Sequence, residues 1–562
     1  MVELSQPRDS TTSPPRSLRG IIDWLFAASL ALAVVVGTVG IDLHLAGTSL
    51  RSHSAVRVLI LSILLLAIRW WLGIGPLAAW IMRVALLTTI CGSVATWLRF
   101  LLTTIGGADS YGYVSASHLI AGGRLIDPAA IAEWLSAPNR LAIASPLGWA
   151  PAIDGSGIVP TYPLGLPIVM AVFSSIAGSS AVFLVAPVFA VITLVLVYRV
   201  ARDWFDADVA LLAVAVVAWN PVFVAYAKQP MSDLPASAWL MAAMLLALRT
   251  SLGSGYFAGL CAGAAVITRP VLLIAAAFVA LTANRGVLPQ RRVLVAGAGL
   301  FVGVAIQMAL QNRLFGSPFQ TGYGNSGALF SLAYVPTNWG IFIRHGWTTL
   351  GLFWVAALII GARITPVDLR WRIFTIAVAI VSPYLFYLPF DHWETLRFIL
   401  PALVPLSIIV AAGVFHVARL VPNTAAVAVI VVVFVAPLVG RSEMLLRQSS
   451  AWDIAALEAR YPLAGDWINV NTPPTSVVLA NQHSGSLRWY GKRQTLRWDF
   501  IAPEQLVTTV RELESHGATT YVALEGDEVA MFDQRFKDVI GQLQVDHVGS
   551  IRNVSFRRLK NP

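Results

Sequence analysis

The sequence predicts a polytopic α-helical membrane protein of about 13 spanning helices that ends in a small α/β domain. Three observations carry that reading. Apolar runs recur from residue 21 to residue 440 of a 562-residue chain that is 57% hydrophobic and only 12% charged. Acidic residues are unevenly spread: of 29, only 13 lie between residues 20 and 440, and 14 fall in 441–562. The chain therefore changes solvent near 440. The last stretch then alternates strand-like and helix-like segments and is long enough for one small core.

Residues 1–19 are polar, rich in Pro, Ser and Thr, and carry Arg8, Arg16 and Arg19. They read as a disordered cytoplasmic tail with no cleavable signal. Residues 20–440 form the membrane domain. A spanning helix needs about 20 apolar residues, which selects 21–41, 55–73, 80–104, 180–200, 208–226, 235–250, 293–311, 347–362, 373–390, 397–418 and 423–440. Residues 42–54 read as a short loop. The apolar run 164–178 is short, and spanning there would move Arg199 and Arg202 outside, against the cytoplasmic bias of basic residues. It reads as an interfacial or re-entrant helix. The run 255–283 is broken by Thr268-Arg269-Pro270, with Arg249 before it and Arg285, Arg291 and Arg292 after it. Each half is too short to cross alone, so the run reads as a hairpin with Arg269 at its tip and both ends inside.

With the N-terminus inside, residues 105–163 form a large first outer loop. Residues 228–233, 312–346 and 391–397 and everything after 440 also face outside. The domain 441–562 is then periplasmic. Its helix near 452–470, strand 476–480, helix near 503–516, strand 520–524 and last strands near 542–548 and 551–558 give the α/β pattern.

The net charge of +10 comes mostly from Arg at loop ends. Cytoplasmic bias and anionic headgroups account for it, and nucleic-acid binding is excluded as a reading. Cys91 and Cys261 both lie in apolar runs, so no disulfide framework or thiolate metal site is supported.

Chemistry is expected where charge meets the outer membrane face. Asp109, in Gly106-Gly107-Ala108-Asp109-Ser110-Tyr111, is positioned to be a general base or, equally, to cap the helix after it. Lys228 and Asp233 flank the next outer turn, where Lys228 also reads as snorkelling. Arg269, at the tip of a buried hairpin, needs a partner: an acidic side chain such as Asp233 or Asp109, or the oxygens of a phosphate. Arg344-His345 and Asp391-His392-Trp393-Glu394 read either as an interfacial belt or as ligands for a phosphorylated, sugar-bearing substrate. His345 or His392 with Asp109 or Glu394 makes a divalent cation a candidate cofactor, without a ligand spacing that selects a metal. In the tail, His483-Ser484-Gly485-Ser486 follows a strand as a hydroxyl-rich turn suited to anions.

These residues resemble those of the glycosyltransferase C (GT-C) superfamily, and more narrowly the bacterial relatives of protein O-mannosyltransferases and of the lipid A aminoarabinose transferase. The resemblance rests on Asp109-Ser110-Tyr111, Thr161-Tyr162-Pro163-Leu164-Gly165-Leu166-Pro167, Ser232-Asp233-Leu234-Pro235, Thr268-Arg269-Pro270 and Arg397-Phe398-Ile399-Leu400-Pro401, spread over residues 100–410. Trp467-Ile468-Asn469-Val470-Asn471-Thr472-Pro473-Pro474 looks like the outer domains appended to such enzymes. The resemblance implies a GT-C-like fold in the bacterial cytoplasmic membrane. It implies a polyprenyl-phosphate-linked sugar donor and transfer outside the membrane, with inversion, to an acceptor that is a protein, lipid or glycan. Asp109 would be the catalytic base. Asp233, Lys228, Arg269, Arg397, Asp391, His345, Tyr111 and Tyr162 would bind substrate. The acidic loop follows the third helix here, which leaves two extra helices relative to the family pattern. Ser110 stands where some relatives carry a second acid, so metal dependence stays open. The competing class is a transporter or flippase of a lipid-linked or anionic substrate, which predicts paired halves that the sequence does not show. An envelope scaffold that binds through its tail is the third reading.

Overall fold

The structure is a computed structural model. It describes residues 79–324, 329–421 and 424–562 and parts of 21–68. The tail 1–19 and most of the expected spans 21–41 and 55–73 lie outside the described residues. Within 42–54, expected as loop, Ile41–Leu45 pairs antiparallel with Thr48–Ser52. Alternation of Leu43, Leu45 and Leu50 with polar neighbours is a strand period, which the loop reading overlooked.

The described chain is mostly helical. Five helices are long and apolar enough to cross a membrane: Ser179–Trp204, Pro289–Phe315, Leu332–Ile364, Trp393–Arg419 and Ala426–Gln448. A sixth candidate is bent by 67° between Ala207–Ala218 and Pro221–Ala227, where the sequence suggests one straight span over 208–226. The reason is local. Pro221 brings no amide, and the Asn220 side chain accepts from the amides of Val222 and Phe223, so a new helix is capped directly after Trp219 closes the old one. Ala79–Arg99 packs beside Ala207–Ala218 and is tied to it by Arg83 and Asp208 at 2.6 Å. Gly165–Ala177 has 13 residues, about 20 Å of helix, too short to cross.

The broken run folds into Leu252–Thr268, a turn at Pro270–Leu272, and Leu273–Leu281. Its two ends meet on one guanidinium. Arg292 donates from Nε to the Ser251 carbonyl (2.9 Å) and from Nη1 to the Arg285 carbonyl (3.0 Å). That closes a hairpin whose tip is Arg269. Leu252–Thr268 runs in register with Pro289–Phe315 along a glycine seam. A Cβ on Gly259 would lie 2.0 Å from the Ala296 carbonyl, and one on Gly303 would lie 2.4 Å from the Gly263 Cα. Only glycine permits backbones this close, and close backbones supply the packing that an apolar solvent cannot drive.

Charged groups collect at two ends of the bundle. Arg83–Asp208, Arg249–Asp203 (3.0 Å), Arg419–Asp206 and Arg285–Asp368 pair at one end. Asp233–Ala247 leads from the opposite end down to Arg249. Asp109, Arg269 and Arg397 join Asp233 there, lining one cavity with it.

Residues 454–560 hold a five-stranded mixed sheet with helices around it. Its spatial order is Gln494–Leu496, Val477–Ala480, Thr520–Glu525, Val554–Lys560, Gln544–Ile551. The first three strands are parallel and the rest antiparallel. The three-residue strand 494–496 and the helix Glu528–Phe536 escape the sequence reading, the first through its shortness. This unit grips the loop 105–163. Arg488 donates to the Ala144 carbonyl (2.6 Å), the Arg497 amide to the Ile143 carbonyl (2.7 Å), and the Leu147 amide to the Ser484 hydroxyl (3.0 Å). Ser484 therefore serves the loop, and Ser484–Trp489 is a helix of only six residues.

Candidate functional site

The helix carrying Asp109 begins at Gly107, with Gly106 extended at the cap position and no side-chain cap bond. Asp109 is the third helical residue, so its carboxylate is not the cap that the sequence left as an alternative. It stands at the edge of a cavity of about 530 Å³, with its side chain one-third exposed. Several close approaches hold this helix. A Cβ on Gly106 would lie 1.9 Å from the Tyr461 ring. The Ile105 amide donates to the Tyr490 hydroxyl (2.8 Å). Gly148, at φ +85°, crosses so near that a Cβ there would meet the Ala108 carbonyl at 2.6 Å. Left-handed backbone and lack of space both require glycine at 148.

Two guanidiniums face the same cavity. Arg269 donates to Asp233 at 2.6 Å, and the two side chains are 13% and 3% exposed. Asp233 starts its helix, where the N-terminal dipole favours a carboxylate. Arg397 lies 3.5 Å from Asp109, a much looser contact. Both guanidiniums flank the Phe398 ring, at 5.7 Å for Arg269 and 5.2 Å for Arg397, and Phe398 is stacked on Tyr384. The ring keeps the cations apart and presents them on one wall. The four charges sum to zero before any ligand enters, and Arg397 is the cation least committed to a protein partner.

Tyr162 also lines the cavity. Burial first, then the Asp109 charge, raises its pKa, so the hydroxyl stays protonated and donates to Asp109. Tyr113 donates to the Ser232 hydroxyl (3.2 Å). Leu310, Leu314, Phe315, Leu329, Phe330 and Phe390 supply an apolar side wall. The space suits an anion joined to a bulky polar group and an apolar chain.

Of the expected site residues, Asp109, Asp233, Arg269, Arg397 and Tyr162 line this cavity. The structure does not bring the other four to it. Lys228 is wholly buried, donates to the Ala451 carbonyl and sits over the Trp452 ring at 4.7 Å. It ties the end of the helical bundle to the segment that leads into the sheet unit. Tyr111 points the other way, onto Gly485, whose Cβ would meet its ring at 2.3 Å. His345 and Arg344 both pair with Asp391 on an exposed rim. His392 pairs with Glu394 at 3.0 Å. Neither histidine meets Asp109. Among the described residues no group of three or more His, Cys, Asp or Glu side chains is placed to hold a metal ion, and no step below is routed through one. Sequence reading missed Phe398 as a spacer, the tyrosines 113, 323, 384 and 387, and Gln307 and Gln311. The two glutamines did leave a signal: amides four residues apart in an apolar span.

Residues 160–309 match the family described as dolichyl-phosphate-mannose-protein mannosyltransferase. Comparison with curated protein sequences finds no match. Among solved structures, ArnT from Cupriavidus metallidurans bound to undecaprenyl phosphate is similar, with a TM-score of 0.51 at 13% identity over 84% of this chain and 97% of that one. The same protein in the apo state gives 0.49 at 14% identity, with 84% and 97% covered. The archaeal oligosaccharyltransferase AglB from Archaeoglobus fulgidus, in complex with an inhibitory peptide and a dolichol-phosphate, gives 0.47 at 12% identity, with 85% and 74% covered. The likeness to undecaprenyl-phosphate-bound ArnT is one of fold.

Proposed function

We propose that this chain, a membrane protein of the glycosyltransferase C superfamily, moves a sugar from a polyprenyl-phosphate carrier to an acceptor hydroxyl, with inversion, on the periplasmic face of a bacterial cytoplasmic membrane. The observation that supports it most is the convergence of Asp109, Arg269 and Arg397 in one cavity with an apolar side. Membrane lipid surrounds the enzyme and its apolar wall admits the carrier chain.

The chemistry balances with these groups. The acceptor oxygen attacks the anomeric carbon while Asp109 takes its proton. The bond from the anomeric carbon to the phosphate oxygen breaks, and its electron pair stays on the phosphate. Negative charge grows on that oxygen, where Arg397 is the available cation and Arg269, locked by Asp233, is the fixed one. Tyr162 steadies Asp109. The sugar is a hexose or pentose, and the acceptor is a protein, lipid or glycan. The match to a mannosyltransferase family and the undecaprenyl phosphate named for one similar structure support a lipid-linked donor.

The test is transfer from undecaprenyl-phosphate-linked sugars in membranes carrying wild-type protein or Asp109→Asn. Loss of a general base costs about 10²–10⁴ in rate. Undiminished transfer by the variant would remove this mechanism, and carrier movement without glycosidic-bond cleavage would make the protein a flippase. Reporter fusions that put residues 105–163 and 391–396 on opposite membrane faces would end the orientation.

A further inference from the structure

We infer that Gln307 and Gln311 form the subsite that reads the hydroxyls of the donor sugar. Leu252–Thr268 and Pro289–Phe315 run in the same direction, with Gly259 against Ala296 and Gly263 against Gly303. One helical turn beyond these contacts, the first helix reaches Thr268 and Arg269 and the second reaches Gln307. The register thus sets the Gln307 amide beside the hairpin tip. Gln311 follows one turn later on the same face.

Both glutamines line the cavity that holds Asp109 and the two arginines. Gln307 is only 7% exposed, and its Oε1 has no hydrogen-bond partner. A buried amide oxygen without a partner is costly in an apolar span. Arg292, on the same helix, shows the alternative, since its guanidinium is fully engaged by the Ser251 and Arg285 carbonyls. The unpartnered atom is an acceptor, so it needs a donor, which a sugar hydroxyl supplies and an ionised phosphate does not.

Position selects the donor sugar over the acceptor. In the proposed reaction the phosphate sits on the arginine wall, and the donor sugar is bonded directly to it. A group beside Arg269 is therefore within reach of that sugar. The acceptor hydroxyl is the group that gives its proton to Asp109 in that reaction.

This inference rests on the proposed transferase reading, and the experiment separates the two. Purified full-length protein in nanodiscs is titrated with undecaprenyl phosphate and with undecaprenyl phosphate bearing a panel of hexoses and pentoses. Gln307→Met and Gln311→Met keep the packing volume and remove the amides. The expected result is that the wild type binds one sugar-bearing carrier more tightly than bare undecaprenyl phosphate. Each variant then loses roughly tenfold in affinity for that carrier while keeping its affinity for the bare one. Retained bare-carrier binding also shows that the variants are folded. Equal loss for both ligands, no loss for either, or a wild type that never prefers a sugar-bearing carrier would overturn the subsite. A wild type that binds no polyprenyl phosphate at all would overturn the transferase reading along with it.

Discussion

Replacing Arg269 by Met should destabilise the protein through Asp233 more than through any lost contact of Arg269 itself. Asp233 has a side chain 3% exposed and pairs with Arg269 at 2.6 Å. Removing the guanidinium leaves a carboxylate among apolar helices, a change that costs about 3–5 kcal/mol when a buried pair loses one member. Arg397 faces the same cavity, so the loss should fall near about 3 kcal/mol. Removing both charges, as Asp233→Leu with Arg269→Met, leaves no buried ion and should return stability to within about 1 kcal/mol of wild type. The coupling between the two sites should then exceed about 2 kcal/mol. Equilibrium unfolding in mixed detergent micelles, followed by tryptophan fluorescence, measures all four corners of the cycle. The double variant should be stable yet impaired in transfer, because the fixed cation is gone. If Arg269→Met alone lies within about 1 kcal/mol of wild type, or if the two effects simply add, the pair is not a lock and the reasoning fails.

Three further outcomes follow from the geometry. Gly259→Ala places a methyl 2.0 Å from the Ala296 carbonyl. The helices must part, at about 1–3 kcal/mol of stability, and a neutral result in the same unfolding assay would mean that the seam yields freely. Gly106→Ala pushes on the Tyr461 ring at 1.9 Å. It should lower transfer by tilting the Asp109 helix, and Tyr461→Ala in the same chain should restore part of the rate. Lys228 is driven by burial, against the attraction of Asp453, to a pKa of about 8 from an ordinary 10.5. The unfolded chain then binds the proton more tightly, so the fold gains stability as pH rises from about 8 through 10.5. Thermal midpoints of wild type should rise relative to Lys228→Met between pH 7 and pH 10, and a pH-independent difference would refute the shift.

Membrane character was legible because a lipid solvent imposes a length and an apolarity that composition reveals directly. The hairpin was legible too. Arg249 on one side and Arg285 to Arg292 on the other put both ends on one face, and Arg292 joins them. Pairing Asp233 with Arg269 was among the partners that charge cost alone suggested. Lys228 was a different matter. Its sequence position beside Asp233 resembles that of a cavity residue, but its side chain turns back onto Trp452. The direction of a side chain at a helix end depends on what packs there, and Trp452 is over 200 residues away. Tyr111 differs from Tyr162 for the same reason. The Tyr111 ring is met by Gly485 of the sheet unit, far along the chain.

The sequence by itself determined the helical membrane class and the broken hairpin with its charged tip. Each follows from local hydropathy and charge, which act along the chain. Only the tertiary structure decided that Phe398 divides two arginines, that Gln307 reaches their cavity, and that the C-terminal sheet unit braces the helix of Asp109. Those depend on which glycines let two backbones touch and how far each helix then slides, and no single segment carries that information.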